Sequence, residues 1–262
     1  MDFELNNKIA LVTGSNRGTG EVIAQALARE GATVIFHSNE EDAAADAAAK
    51  VERAYGVWGD ITNDQGAQQV IAQVEKAVGS VDILVNNYGT TSRGTWSKST
   101  TEDWLDIYQK NVLSATRMIQ AIVPGMKEKG WGRIIQLGTI GSHRPNAVMP
   151  HYYAAKGALA TMSVSLANEL THTGITVNTV SPGLIRTPEL EVGFRKRAIR
   201  EGWGDSWSEI ESKIVELDFP NPCGRIAERE EVADLVVFLS SNRASFVNGQ
   251  NIRIDGGAVN YV

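Results

Sequence analysis

Short, nearly continuous apolar runs alternate along this chain with longer stretches of helical pattern, and that alternation leaves few folds open. The runs fall at 9–12, 33–36, 81–85, 133–137, 175–180 and 251–254, with a further short strand expected at 55–58. They are rich in β-branched residues and apolar on both faces, as strands of a parallel sheet covered on two sides must be. The helical stretches lie at about 18–30, 40–53, 64–78, 101–129, 152–173 and 228–240. Asn63 and Thr101 are expected to cap two of them, and Gly31 and Gly130 to end two others. Strand–helix alternation throughout predicts an α/β chain with a doubly wound parallel sheet and helices on both faces. No linker or repeat interrupts it, so residues 1–262 are expected to form one domain.

One segment breaks the rhythm. Residues 188–222 interpose a stretch in which Trp203, Trp207, Ile210, Ile214 and Leu217 recur at helical spacing. Such a stripe has to cover something. A lid over a substrate cleft is one reading of Trp203 and Trp207; packing in a core or between subunits is the other.

Composition excludes several roles. The net charge of −6 argues against nucleic acid or an anionic membrane as the main partner. No apolar run reaches the roughly 18 residues of a spanning helix, and the start up to Lys8 is polar, so a cytoplasmic location is expected. The single cysteine, Cys223, sits in a Pro-Cys-Gly turn and is read as structural. His37, His143, His151 and His172 lack metal-ligand spacing, and no metal is expected. A basic run, Arg195-Lys196-Arg197 with Arg200, would either draw an anionic substrate or form a solvated helix face.

The first strand runs into Thr13-Gly14-Ser15-Asn16-Arg17-Gly18-Thr19-Gly20, and a helix follows. Glycines let the backbone approach a diphosphate, and the helix start offers free N–H groups to it. The second strand ends in His37-Ser38-Asn39, where an NAD site usually places an acid for the ribose hydroxyls. Ser38 and Asn39 would not repel a 2′-phosphate, and Arg17 would pair with one. NADP(H) is therefore favoured, with NAD(H) the alternative. Further along, Tyr152 and Lys156 stand four residues apart on one helix face, where an ammonium beside a phenol would lower its pKa toward the working range of a general acid–base.

With these motifs in order, the chain resembles the short-chain dehydrogenase/reductase family over nearly its whole length, and most of all its 3-oxoacyl-carrier-protein reductase-like branch. The carrying residues are the glycine loop, Asp60, Asn86-Asn87-Tyr88-Gly89, Asn111, Tyr152 with Lys156, Ser181-Pro182-Gly183 with Thr187, and Asp255-Gly256-Gly257. The resemblance implies a Rossmann-type fold and interconversion of a carbonyl and a secondary alcohol by hydride transfer. It makes Tyr152 the proton donor and acceptor, Lys156 the holder of the nicotinamide ribose, and Asn111 the anchor of a water. It places Asp60 and Ile61 at the adenine and Asn87 and Gly89 at the adenosine ribose. Pro182, Gly183, Ile185 and Thr187 would hold the nicotinamide end. A homotetramer is implied, with residues 257–262 reaching a neighbour.

Two positions depart from the family pattern. Thr139 stands where serine is usual, keeping the hydroxyl but adding a methyl; Ser142 is the alternative hydroxyl. Tyr88 stands where alanine is usual, either narrowing the cleft or packing against the helix that follows. His143 and His151, in the loop before Tyr152, are further candidates for substrate contact, and a solvent-facing loop is the alternative for both.

Overall fold

A computed structural model describes residues 2–261. Met1 and Val262, the two ends of the expected domain, lie outside the described residues. Seven parallel strands form one sheet: β1 (Ile9–Val12), β2 (Thr33–Ser38), β3 (Ala54–Trp58), β4 (Ile83–Asn86), β5 (Gly132–Leu137), β6 (Ile175–Pro182) and β7 (Asn251–Ile254). Their spatial order is β3-β2-β1-β4-β5-β6-β7. The chain winds outward from β1 through β2 to β3, then returns to β4 on the other side of β1. That reversal leaves a crevice beyond the carboxyl ends of β1 and β4, where doubly wound sheets bind ligands.

Register follows the apolar pattern. Val12 pairs with Phe36 on one side and Val85 on the other, and Ile134 pairs with Leu84 and Val177. Every residue of β5 and β6 is buried, as strands covered on two sides must be. One face is covered by α1 (Gly18–Arg29), α2 (Glu41–Ala48) and α9 (Arg229–Ser240). The other is covered by α3 (Asp64–Val78), α5 (Ser114–Lys129) and α6 (Pro150–Glu169). Two apolar layers result, one around Ile23, Leu27 and Phe36, the other around Leu84, Met118 and Ile134.

Helix ends show where local chemistry acted. Asn63 accepts the Gly66 N–H at 2.9 Å, and Gly130 closes α5 in the left-handed region, both as expected. Thr100, not Thr101, caps α4 (Thr101–Tyr108): its hydroxyl accepts the Asp103 N–H while Asp103 accepts the Thr100 N–H. The expected helix 101–129 is continuous but swells into a π-turn at Gln109–Leu113 between α4 and α5. A π-turn displaces one residue from the regular ladder, and here Asn111 sits within it. The helix expected over 40–53 stops at Ala48; a turn follows, and Arg53 takes a left-handed φ of 55° on the way into β3.

The interposed segment is two helices, α7 (Pro188–Glu201) and α8 (Trp207–Leu217), joined through Gly202-Trp203-Gly204. They close over a small core of their own built from Ala198, Ile210, Ile214 and Ile226.

Candidate active site

The glycine loop is held from beneath by the side chains of Ser15, Thr13 and Asn87. Ser15 is fully buried; its hydroxyl donates to the Val12 carbonyl at 2.6 Å and accepts the His37 N–H at 3.0 Å. The hydroxyl of Thr13 accepts the N–H groups of Asn87 and Tyr88 at 3.1 and 3.0 Å, and the Asn87 amide donates to the carbonyls of Thr13 and Gly14 at 2.9 Å each. β1 and β4 are thereby stitched across the switch point. A Cβ at Gly20 would collide with the Asn87 amide and the Gly14 carbonyl, so the loop requires glycine there. Within this framework Gly14, Asn16, Arg17, Ser38, Asn39, Asn87, Tyr88 and Gly89 line one cavity of about 330 Å3, together with Glu40.

His37 takes part in the cradle, although its spacing marks it as nothing in particular. Its Nδ1 accepts the Gly14 N–H at 3.0 Å and its Nε2 lies 3.0 Å from the Gly59 carbonyl, which assigns the proton to Nε2. Burial holds its pKa down at about 4, against smaller opposing effects of the Gly59 hydrogen bond and Asp60. The ring is therefore neutral, as its role as acceptor from Gly14 requires.

The chemical centre lies at the carboxyl ends of β4 and β5. Lys156 is buried on α6 and donates to the Leu137 carbonyl at 2.7 Å. A Cβ at Gly89 would stand 3.3 Å from its Nζ and would also collide with Oδ1 of Asn111, so a glycine gap brings the lysine and asparagine together. The Asn111 amide donates to the carbonyls of Thr90 and Ile107 at 2.9 and 3.0 Å, while its Oδ1 is buried without a partner. A buried orphan acceptor facing an ammonium is a place for ordered water. Tyr152 lies one turn before Lys156, with the ammonium 6.0 Å from its ring centre.

The direction of the Tyr152 shift corrects the expectation. Burial, reinforced by Tyr153, pushes its pKa up to about 12, and burial lowers that of Lys156 to about 8. Burial disfavours the charged phenolate, and the Lys156 ammonium is engaged with the Leu137 carbonyl. In the chain alone, then, Tyr152 is a protonated donor at neutral pH.

Thr139 follows β5. Its Oγ1 accepts the Gly141 N–H at 3.1 Å, which leaves its proton free for another acceptor. The Ser142 hydroxyl is spent on the Thr139 carbonyl at 2.7 Å, so Thr139 is the better placed of the two. Tyr153 accepts from Asn146 at 3.0 Å and packs under Gly141, supporting the loop.

The remaining expected site residues have these surroundings. The Ile61 side chain is in the core at 1% exposure. The Asp60 carboxylate accepts from Thr62 and Asn63, ordering the turn into α3; desolvation raises its pKa, but these hydrogen bonds prevail and hold it low. Gly183 follows β6, where a Cβ would strike Phe219 and Asp255, and Ile185 packs onto the core beside α9. The Thr187 hydroxyl caps α7 by accepting the Leu190 N–H at 3.2 Å. Pro182 ends β6, buried.

The substrate-contact candidates sit as follows. Trp203 and Trp207 are half-buried and pack against the core of α7 and α8, with Arg197 stacked on one and Arg186 on the other. His143 is tied to Asn251 at 3.0 Å and to the Tyr261 hydroxyl. Residues up to 261 thus fold back onto this chain's own loop. His151 is buried rather than solvent-facing, with Nε2 2.9 Å from the Ser92 hydroxyl. Tyr88 lines the cavity and its hydroxyl reaches Asn39 beyond the end of β2. The three arginines of the basic run pair locally, Arg195 with Glu191, Arg197 with Glu201 and Asp218, and Arg200 with Glu201, while Lys196 makes no such pair among the described residues. Among the described residues no cluster of three metal-ligating side chains forms.

Known proteins match this arrangement from end to end. The family model described as enoyl-(acyl carrier protein) reductase matches residues 14–259. The 3-oxoacyl-[acyl-carrier-protein] reductase FabG of Haemophilus influenzae is 34% identical over 254 residues, 97% of this chain and 98% of that protein. The Escherichia coli protein of the same name is 34% identical over 258 residues, 98% of each. Among solved structures, L-sorbose reductase from Gluconobacter frateurii, complexed with NADPH and L-sorbose, superposes with a TM-score of 0.93 at 32% identity over 100% of both chains. A gluconate 5-dehydrogenase from Burkholderia cenocepacia in complex with NADP and tartrate gives 0.85 at 27% identity, covering 100% of this chain and 98% of that one. Glycine cradle, Tyr152–Lys156 pair and full-length similarity agree: the chain belongs to the short-chain dehydrogenase/reductase family, oxidoreductases that interconvert carbonyls and alcohols with a nicotinamide cofactor.

Proposed function

We propose that the chain reduces a small, polar ketone to a secondary alcohol with NADPH, and that Tyr152 is its general acid. The observation that carries this reading is the meeting of Lys156 and the orphan Oδ1 of Asn111 at Gly89, one helical turn from the Tyr152 phenol. The crevice fits a dinucleotide: glycine is required where backbone must approach, Arg17 stands at its rim, and β2 ends in Ser38 and Asn39 rather than an acid. When bound there, the nicotinamide supplies the hydride to the carbonyl carbon.

The chain's residues do the rest. Thr139 and Tyr152 donate hydrogen bonds to the carbonyl oxygen, which polarises it. As negative charge develops on that oxygen, the Tyr152 hydroxyl proton transfers to it. Lys156, charged below about pH 8, holds the nicotinamide ribose and stabilises the resulting phenolate. A water held by Asn111 restores the proton.

The substrate class draws on the relatives that act on L-sorbose and gluconate, compounds rich in hydroxyls. The internal pairing of the three arginines in the 195–200 run favours such a free molecule over a substrate carried on an acidic protein. Residues 188–222 serve as the cover of its pocket within a single catalytic domain. The reading also includes a cytoplasmic homotetramer; no described helix is long and apolar enough to cross a membrane.

Tyr152→Phe tests the mechanism. It should lower turnover about 10²–10⁴-fold while NADPH still binds, as followed at the nicotinamide absorbance band. Near-normal turnover would remove Tyr152 from the chemistry.

A further inference from the structure

Tyr88 is held in one place by its backbone and aimed in one direction by its neighbours. Its N–H is fixed to the Thr13 hydroxyl at 3.0 Å. Its side chain then lies across Gly14: a Cβ on that glycine would stand 3.3 Å from both Cβ and Cδ2 of the tyrosine. Gly14, already in the left-handed region at φ 61°, thus leaves the room the tyrosine occupies. The ring meets His37 edge-on, with centres 6.1 Å apart. At its far end the phenol oxygen accepts a hydrogen bond from the Asn39 amide at 3.4 Å.

The tyrosine therefore spans the cavity from the end of β4 to the end of β2. In a doubly wound sheet, the end of β2 is where the adenosine 2′ substituent is recognised. Arg17, Ser38 and Asn39 line the same cavity. The Ser38 hydroxyl accepts the Glu40 N–H at 3.2 Å and the phenol oxygen accepts from the Asn39 amide, so each keeps its own proton free to donate. A guanidinium, an amide, a serine hydroxyl and a phenol O–H lining one cavity form a donor set suited to a phosphate. Glu40 is the opposing charge at the lip, and its backbone is directed into α2 by Ser38.

We propose that Tyr88 is a cofactor-specificity residue, its hydroxyl donating to the 2′-phosphate of NADP(H) while its ring closes the adenosine end of the crevice. This rests on the NADPH reading above and adds to it a residue that would otherwise pass for a wall of the substrate cleft.

The experiment compares two fragments that differ only in the 2′-phosphate, adenosine 2′,5′-bisphosphate and 5′-AMP. Calorimetric titration of wild type, Tyr88→Phe and Arg17→Ala reads their affinities without any turnover. Loss of one hydrogen bond to a charged group predicts that Tyr88→Phe weakens the bisphosphate about tenfold and 5′-AMP by less than about twofold. Unchanged 5′-AMP affinity also certifies the fold of the variant. Should Tyr88→Phe weaken both fragments equally, or neither, the proposal falls. If Arg17→Ala alone discriminates, the NADPH reading stands without Tyr88. A wild-type chain that binds the bisphosphate no better than 5′-AMP overturns the NADPH reading and this proposal together.

Discussion

Acidification should loosen the glycine loop through one ring, His37. In the folded chain its Nδ1 must stay unprotonated to accept from Gly14, and its pKa falls from 6.5 to about 4 because the ring is buried. Above pH 6.5 the ring is neutral in both folded and unfolded chains, and the native state is not penalised. As pH falls from 6.5 toward 4, the unfolded chain takes up a proton that the folded chain refuses, and stability declines. Below about pH 4 both states carry the proton and the decline from this group ends. At about 1.4 kcal/mol per pH unit, the gap amounts to about 3 kcal/mol, a large share of a typical domain's net stability. The assay is urea unfolding at fixed protein concentration between pH 7 and 4.5, for wild type and for His37→Gln. Glutamine keeps an acceptor and a donor but does not titrate. The variant should start less stable at pH 7 and show a shallower slope, the difference approaching about 3 kcal/mol by pH 4. Identical slopes would refute the reasoning, since carboxylates elsewhere contribute equally to both chains.

Three further outcomes test the centre itself. Ketone reduction should be flat through neutrality and fall as pH rises through about 8, where Lys156 loses its proton while Tyr152, at about 12, keeps its own; a kcat profile without that limb would count against the lysine. Gly89→Ala should cost turnover severely with little change in melting temperature, because its methyl enters the space shared by Asn111 Oδ1 and Lys156 Nζ. Thr139→Ser should retain activity and Thr139→Ala should lose about 10²-fold in kcat; equal behaviour of the two would shift the role to another donor.

Local pattern carried much of this protein's organisation. The order of strands and helices, the glycine loop, the cap at Asn63 and the shared face of Tyr152 and Lys156 all depend on residues a few positions apart. There the 3.6- and 2-residue periods and the need for positive φ act directly. Other features depend on neighbours far along the chain. Whether Trp203 packs on a core, which way Tyr88 turns, and how Asn39 meets its hydroxyl follow from packing between distant elements. His37 shows this in its strongest form: three contacts, to residues 14, 15 and 59, make an unremarkable strand histidine part of the cradle.

Tyr152 marks the boundary between the two. Four-residue spacing foretells that an ammonium stands near the phenol, yet not which way the pKa moves. Proximity is set by one helix, whereas desolvation is summed over every group that the folded chain packs around the ring. That sum exists only once α4, the π-turn and α6 have come together, and here it sets the direction of the shift.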